Sequence, residues 1–171
     1  MIPKLYLAGC VLTQEYLRSI LSYNKDTGDF IRLFRTSNST KIGDKAGTAH
    51  NSGYVSISVL NKRYLAHRLA WFYITGKWPK NQIDHINGIR TDNRWDNLRE
   101  ASQNINSQNL KRAKKHNSST GLLGVYPNHN RFGAKITVKS KEIYIGTFDT
   151  PEEAYKAYLH AKRERHPGCT I

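Results

Sequence analysis

The chain has 171 residues, with 27 Lys plus Arg against 13 Asp plus Glu, a formal net charge of +14 and a pI near 9.9. That balance calls for a polyanionic partner. No stretch approaches the roughly 20 apolar residues that cross a membrane. The two cysteines, Cys10 and Cys169, stand at opposite ends without a Cys-x-x-Cys pair, which argues against structural zinc or a redox site and for a reduced, cytoplasmic protein. The charge is uneven: +7 over residues 1–79, 0 over 80–110, +4 over 111–119 and +3 over 120–171. The segment without net positive charge therefore becomes the place to look for chemistry that needs carboxylates.

From the start of the chain, Leu7-Ala8-Gly9-Cys10 has the form of a lipoprotein cleavage box, but the apolar stretch before it is too short for a signal peptide and only Lys4 flanks it. Thr13 caps a short helix through Leu21 with Tyr16, Leu17, Ile20 and Leu21 as its apolar stripe. Asn24-Lys25-Asp26-Thr27-Gly28 turns into a strand from Asp29 to Phe34, and the polar segment from Thr36 to Gly47 is a loop. Tyr54 to Val59 alternates strictly, which predicts a strand burying Val55, Ile57 and Val59, and Asn61-Lys62 turns the chain back. Leu65 to Ile74 carries Leu69, Trp71, Phe72 and Tyr73 and stops at Gly76 and Pro79, the pattern of a helix. His67 and Arg68 in it are structural or phosphate-contacting rather than catalytic.

The neutral segment holds Asp84-His85-Ile86-Asn87-Gly88, then Asn93-Arg94-Trp95-Asp96-Asn97-Leu98-Arg99, then Asn104-Ile105-Asn106-Ser107-Gln108-Asn109. An Asp holds a hard divalent cation through oxygen, a His takes a proton from water near neutral pH, and Asn amides orient the His or complete a metal shell. Asp84-His85 alone is an ordinary polar pair and Asn87-Gly88 an ordinary turn. The spacing adds the weight: twelve positions from His85 to Asn97 and twenty-one from His85 to Asn106 leave room for a strand, a loop, a return strand and a helix. The strands are expected at Gln82 to His85 and Leu98 to Glu100. Ser102 caps a helix from Gln103 to Leu110, with Asn106 and Asn109 on one face.

This string resembles the HNH nuclease family, whose site is a ββα-metal hairpin, and in particular the subgroup that includes phage homing endonucleases. The resemblance extends over about residues 13–110 when Tyr23…Thr27-Gly28, Gly53-Tyr54, His67-Arg68-Leu69-Ala70-Trp71 and Gly76-x-Trp78-Pro79 are included. It implies that His85 is the general base, that Asp84 and Asn106 ligate the metal, and that Asn97 holds the loop and orients the site. It also implies a divalent metal, Mg2+ with Mn2+ as an alternative. Asn106 departs from the His that many HNH nucleases carry there and is similar to the metal-binding asparagine of homing enzymes that nick one strand. Arg94 and Arg99 either stabilise charge on the phosphorane or contact the DNA backbone.

Residues 111–119, Lys-Arg-Ala-Lys-Lys-His-Asn-Ser-Ser, form a basic linker in which Lys111, Arg112, Lys114 and Lys115 add salt-dependent affinity for phosphate. His116 and His129 have no partners at metal spacing. Strands are then expected from Gly124, from Arg131 to Val138 and from Lys141 to Phe148. Pro151, Glu152 and Glu153 open a helix to about Arg163, with Ala154, Ala157, Tyr158 and Ala161 at helical spacing. Through Tyr144-Ile145-Gly146-Thr147-Phe148-Asp149-Thr150 and Glu152-Glu153-Ala154…Ala157-Tyr158, the segment from Gly124 to about His166 resembles the AP2 domain of plant transcription factors, which also occurs in phage and mobile-element HNH proteins. Such domains lay their sheet in the major groove. The resemblance thus makes Tyr126, Asn128, Arg131, Lys135, Thr137, Tyr144 and Thr147 candidates for DNA contact. The first strand lacks most of the arginines of the plant domains, so no base preference carries over.

The expectation is an α+β chain in four parts: a β-rich DNA-binding part (1–79), an HNH ββα-metal core (80–110), the basic linker (111–119) and an AP2-like domain (120–171) of three strands and a helix. Its function would be homing-type, metal-dependent hydrolysis of double-stranded DNA, nicking one strand as a monomer, in the cytoplasm of a bacterial host if phage-encoded. One alternative is a non-catalytic DNA-binding regulator with a relic HNH core, against which the intact Asp84, His85, Asn97 and Asn106 argue. Another is an RNA-binding or RNA-cleaving protein, since a basic surface does not by itself separate RNA from DNA.

Overall fold

The computed structural model describes residues 11–35, 40–110, 113 and 119–170. The Leu7 to Cys10 box, the first part of the 36–47 loop, and Lys111, Arg112, Lys114, Lys115 and His116 lie outside the described residues. The chain is a mixed α/β structure with small antiparallel sheets. It divides into two compact units, Met1–His85 with Ile89–Glu100, and Ile86–Gly88 with Ala101–Ile171. This division runs through the 80–110 segment.

In the first unit, helix α1 (Gln14–Ile20) starts where Thr13 accepts the Tyr16 N–H and buries Leu17 and Ile20. It stops one residue earlier than the apolar stripe suggests, because Leu21 opens strand β1 (Leu21–Tyr23), which pairs with β2 (Phe30–Arg32). β3 (Lys45–Ala46) adds to β2, and β4 (Thr48–Ala49) pairs with β5 (Val55–Val59), so the segment expected as loop through Gly47 ends in strand. β5 buries Ile57 and Val59 as expected, while Ser56 is more buried than Val55. The turn back to β6 (Lys62–Leu65) falls one residue earlier than expected: Leu60 and Asn61 both take positive φ, the two-residue turn whose twist matches a hairpin.

Helix α2 (Ala66–Thr75) ends at Gly76, which takes the left-handed conformation at φ 72° and donates its N–H to the Phe72 carbonyl. Phe72 stacks on Trp78 at 4.4 Å and Tyr64 stacks on the same indole at 5.4 Å, fixing the chain's exit toward strand β7 (Gln82–His85). β7 pairs with β8 (Leu98–Ala101), and Ile83 and Leu98 add to the core of Leu17, Leu21, Phe30, Ile57 and Leu69. Burial of these side chains, at about 25 cal/mol per Å² of apolar area, holds β7 in place.

In the second unit, helix α3 (Gln103–Gln108) is capped by Ser102 and ends before Asn109, shorter than the expected 103–110. Strands β9 (Val125–Asn128), β10 (Arg131–Val138) and β11 (Lys141–Phe148) form an antiparallel sheet in the order β11-β10-β9. Helix α4 (Pro151–Arg165) covers one face, packing Ala154, Tyr158 and Ala161 on Val125, Ala134 and Ile136. Gly124 makes this packing possible: at φ +71° it lies so close to the Tyr158 ring that a Cβ would stand 2.1 Å from it.

Candidate active site

β7 delivers Asp84 and His85 to a buried position, 6 % and 4 % exposed. Two guanidinium nitrogens of Arg99, Nε at 3.0 Å and Nη2 at 2.8 Å, donate to Oδ2 of Asp84. β8 thus carries the group that fixes the carboxylate's orientation. Arg94 is held elsewhere, its Nε and Nη2 on Asp92 at 2.8 and 2.6 Å, half in solvent. The Asp92 carbonyl in turn accepts the Asn97 amide at 2.7 Å, and Asn97 is buried.

His85 Nε2 lies 3.2 Å from Asn93 Oδ1, and Asn93 Nδ2 donates to the Thr91 carbonyl. An amide oxygen only accepts, so the neutral imidazole carries its proton on Nε2 and its lone pair on Nδ1. Burial pushes His85 below its ordinary value, more than the Asn93 hydrogen bond and the Asp84 and Asp92 charges raise it. The imidazole is therefore neutral at pH 7, the state that a base requires. Asn93 stands within the motif, but nothing in its spacing marked it as the His85 partner.

The loop that presents Asn93 is clamped by the β1–β2 turn. Asn24 Oδ1 accepts the N–H groups of Asp26 and Thr27, and Gly28 follows at φ +77°. The Tyr23 hydroxyl donates to the Asn93 carbonyl at 2.6 Å, and Trp95 N–H donates to the Lys25 carbonyl at 2.9 Å. Burial pushes the Tyr23 phenol far up, so it remains a donor. A Cβ on Gly28 would lie 2.4 Å from the Asn93 carbonyl carbon. The Tyr23 and Thr27-Gly28 elements thus act on His85 through Asn93.

Behind His85 stands a second histidine. His67 of α2, 4 % exposed, meets the His85 ring edge-on at 5.0 Å, and Tyr54 lies against both, 4.9 Å from His67 and 5.7 Å from His85. Arg90 covers the outer face of Tyr54 at 5.1 Å. The Nδ1 of His67 has no hydrogen-bond partner among the described residues. Burial, then His85, then Arg68 push His67 down to about 3. The unfolded chain takes up this proton near pH 6.5 and the folded chain does not, so its contribution to stability is whole above 6.5 and is lost as pH falls from 6.5 toward 3. The urea midpoint should therefore decline between pH 6.5 and 5, and His67→Phe should flatten that decline. An unchanged slope in His67→Phe would contradict the assignment.

Asn106 lies on α3 in the second unit, half-buried, its N–H on the Ser102 carbonyl at 2.9 Å. Asn109, expected on the same helical face, is instead the C-cap, buried, with its amide on the Ile86 carbonyl at 3.3 Å. In the same unit the sheet register brings all seven candidate DNA-contact residues to the face away from α4. Gly133 pairs with Tyr126 and Thr147, Arg131 with Asn128, Lys135 with Tyr144, and Thr137 with Glu142.

Tyr144 and Thr147 are an odd number of positions apart and share a face only because of a bulge, in which Ile145 is the extra residue opposite Ala134 and Lys135. On this face Tyr126 lies over Gly133 and under Lys135 Nζ, and Lys135 pairs with Glu142 at 2.9 Å. Arg131 pairs with Asp149 at 2.8 Å. Thr147 Oγ1 accepts from Asn128 at 3.2 Å and meets the Tyr144 hydroxyl at 2.6 Å. Tyr144, 60 % exposed, is the largest apolar surface presented there.

Residues 64–108 match the family model described as HNH endonuclease. That stretch runs from β6 through α2, β7 and β8 to the last residue of α3, and so contains every residue assigned to chemistry. No curated protein and no solved structure matches the chain. Nucleases of this kind act on DNA and generally use a divalent metal. Asp84 is a buried carboxylate of the kind that a hard cation takes, while among the described residues no group of three or more His, Cys, Asp or Glu could hold a metal ion. Mg2+ typically takes one or two carboxylates and keeps several waters. Among the described residues no helix is long and apolar enough to cross a membrane.

Proposed function

We propose that the protein is a homing-type HNH endonuclease, encoded by a phage or mobile element, that hydrolyses one phosphodiester of double-stranded DNA with a divalent cation, Mg2+ or else Mn2+. The observation that carries this is the buried Asp84-His85 pair, with the carboxylate fixed by Arg99 and the imidazole fixed in one tautomer by Asn93.

Asp84 and Asn106 are the proposed ligands. The bound cation supplies a Lewis acid for the phosphate and a counter-charge for the leaving oxygen. His85 Nδ1 takes the proton of the attacking water, and the charge so formed lies beside the Asp84 carboxylate. Asn97 braces the loop through the Asp92 carbonyl. Arg99 orients Asp84, and Arg94 is available to phosphate only by leaving Asp92.

The second unit's sheet is proposed to enter the major groove in the manner of an AP2 domain, supported by the seven polar and aromatic residues on one face and by the neutralisation of Arg131 and Lys135 by exposed, easily displaced carboxylates. Lys111, Arg112, Lys114 and Lys115 add sequence-independent affinity. One Asp-His-Asn set serves one phosphodiester at a time, so a monomer nicks one defined strand. Denaturing gels with each strand labelled separately test this. Cleavage confined to one strand at low enzyme concentration is expected, and prompt, equal cleavage of both contradicts it.

A further inference from the structure

Helix α3 is poorly equipped to hold itself. Its sequence Gln-Asn-Ile-Asn-Ser-Gln is six residues long, buries none of them fully and is rich in Asn and Ser, which disfavour helix. Yet it carries Asn106. Its support comes from the end of the chain. The N–H of Gly168 donates to Gln108 Oε1 at 3.0 Å, and Gly168 sits so tightly on the helix that a Cβ would lie 2.5 Å from the Ile105 carbonyl oxygen. The Thr170 hydroxyl donates to the Ile86 carbonyl at 2.6 Å and touches the Asn109 amide. Lys162 of α4, 2 % exposed, donates to the Leu110 carbonyl just past the helix. The tail itself is tied to the sheet: His166 caps α4, its Nε2 donates to the Thr137 carbonyl of β10 at 2.9 Å, and Cys169 N–H returns to the His166 carbonyl.

We propose that Gly168 and Thr170 are positioning residues for cleavage, a strap that fixes α3, and the carbonyl of the residue following His85, to the three-stranded sheet domain. The inference rests on the proposed ligand role of Asn106. Its consequence is that the domain proposed to select the DNA also holds the helix that carries Asn106, so that DNA selection and this one ligand share a support. Orientation errors of about 1 Å can cost on the order of 10²-fold in rate, and loss of groups that orient ligands about 10- to 100-fold in metal affinity.

The test uses the full chain as wild type, Thr170→Val, Thr170→Ser and Gly168→Val. It reads Mn2+ binding by electron paramagnetic resonance without DNA, amide exchange over residues 103–110, DNA affinity in EDTA, and Mg2+-dependent nicking. Thr170→Val should weaken Mn2+ binding by about 10- to 100-fold, speed exchange in α3 and slow nicking, with DNA affinity held within about twofold. Thr170→Ser should behave as wild type, and Gly168→Val should exceed Thr170→Val. If Gly168→Val fails to fold, the two Thr170 variants decide the matter. Wild-type Mn2+ binding and exchange in a folded Thr170→Val overturn the inference, as does a fall in DNA affinity with Mn2+ binding unchanged. A wild-type chain that neither binds Mn2+ nor nicks overturns the nuclease reading and this inference with it.

Discussion

Replacing His85 with alanine is expected to lower nicking by about 10²- to 10⁴-fold, the range that a positioned general base supplies. DNA affinity should stay nearly intact, because His85 is 4 % exposed and offers phosphate almost no surface. Asp84→Asn should act as strongly through a different term. It keeps the side chain's shape beside Arg99 but removes the buried carboxylate that would hold the cation, and several kcal/mol of lost charge stabilisation corresponds to about 10³-fold in rate. Gel-shift and nicking assays on the same preparations separate the two readouts. A His85→Ala protein that cuts at the wild-type rate would show that another group takes the proton.

The second large effect is expected at a residue with no chemistry of its own. Gly28→Ala places a methyl group 2.4 Å from the Asn93 carbonyl carbon and 2.5 Å from the Arg94 nitrogen, both backbone atoms that no rotamer change can clear. The left-handed φ of +77° alone costs a non-glycine residue roughly 1–2 kcal/mol. The collision adds to this, and a drop in melting temperature of roughly 10 °C is expected, in line with about 3 kcal/mol in a small domain. Nicking should fall further than stability alone accounts for, by about 10²-fold where the protein remains folded, because Asn93 moves and with it the hydrogen bond that sets the His85 tautomer. A Gly28→Ala protein with wild-type melting and nicking would mean that the turn does not support the loop.

These two predictions differ in how far the sequence foretells them. Asp84 and His85 were legible because they adjoin each other in a string whose residue types and spacing carry the chemistry. The C-terminal strands and helix were legible because alternation, Pro151 and the acidic first turn are local signals. The Asn93 hydrogen bond, the His67 and Tyr54 rings behind His85 and the Gly28 contact were not legible, because each joins residues that only tertiary packing brings together. β3 and β4, two residues each, are shorter than any periodicity can reveal, and β6 has Lys62 and Arg63 exposed with Tyr64 and Leu65 half-buried, so it shows no alternation. The bulge at Ile145 left one trace, the odd spacing of Tyr144 and Thr147, which makes sense as one face only when the register is known.

The central claim is that this chain hydrolyses DNA at the Asp84-His85 site with a divalent cation. The most direct measurement incubates purified wild-type and His85→Ala protein with DNA of the locus that encodes it, with Mg2+ and with EDTA, and maps ends on each strand. A nick at one defined position on one strand, present only for wild type with Mg2+, is the predicted result. Tight, site-selective binding with no new ends under any divalent cation would contradict the claim and leave a DNA-binding regulator with a relic core.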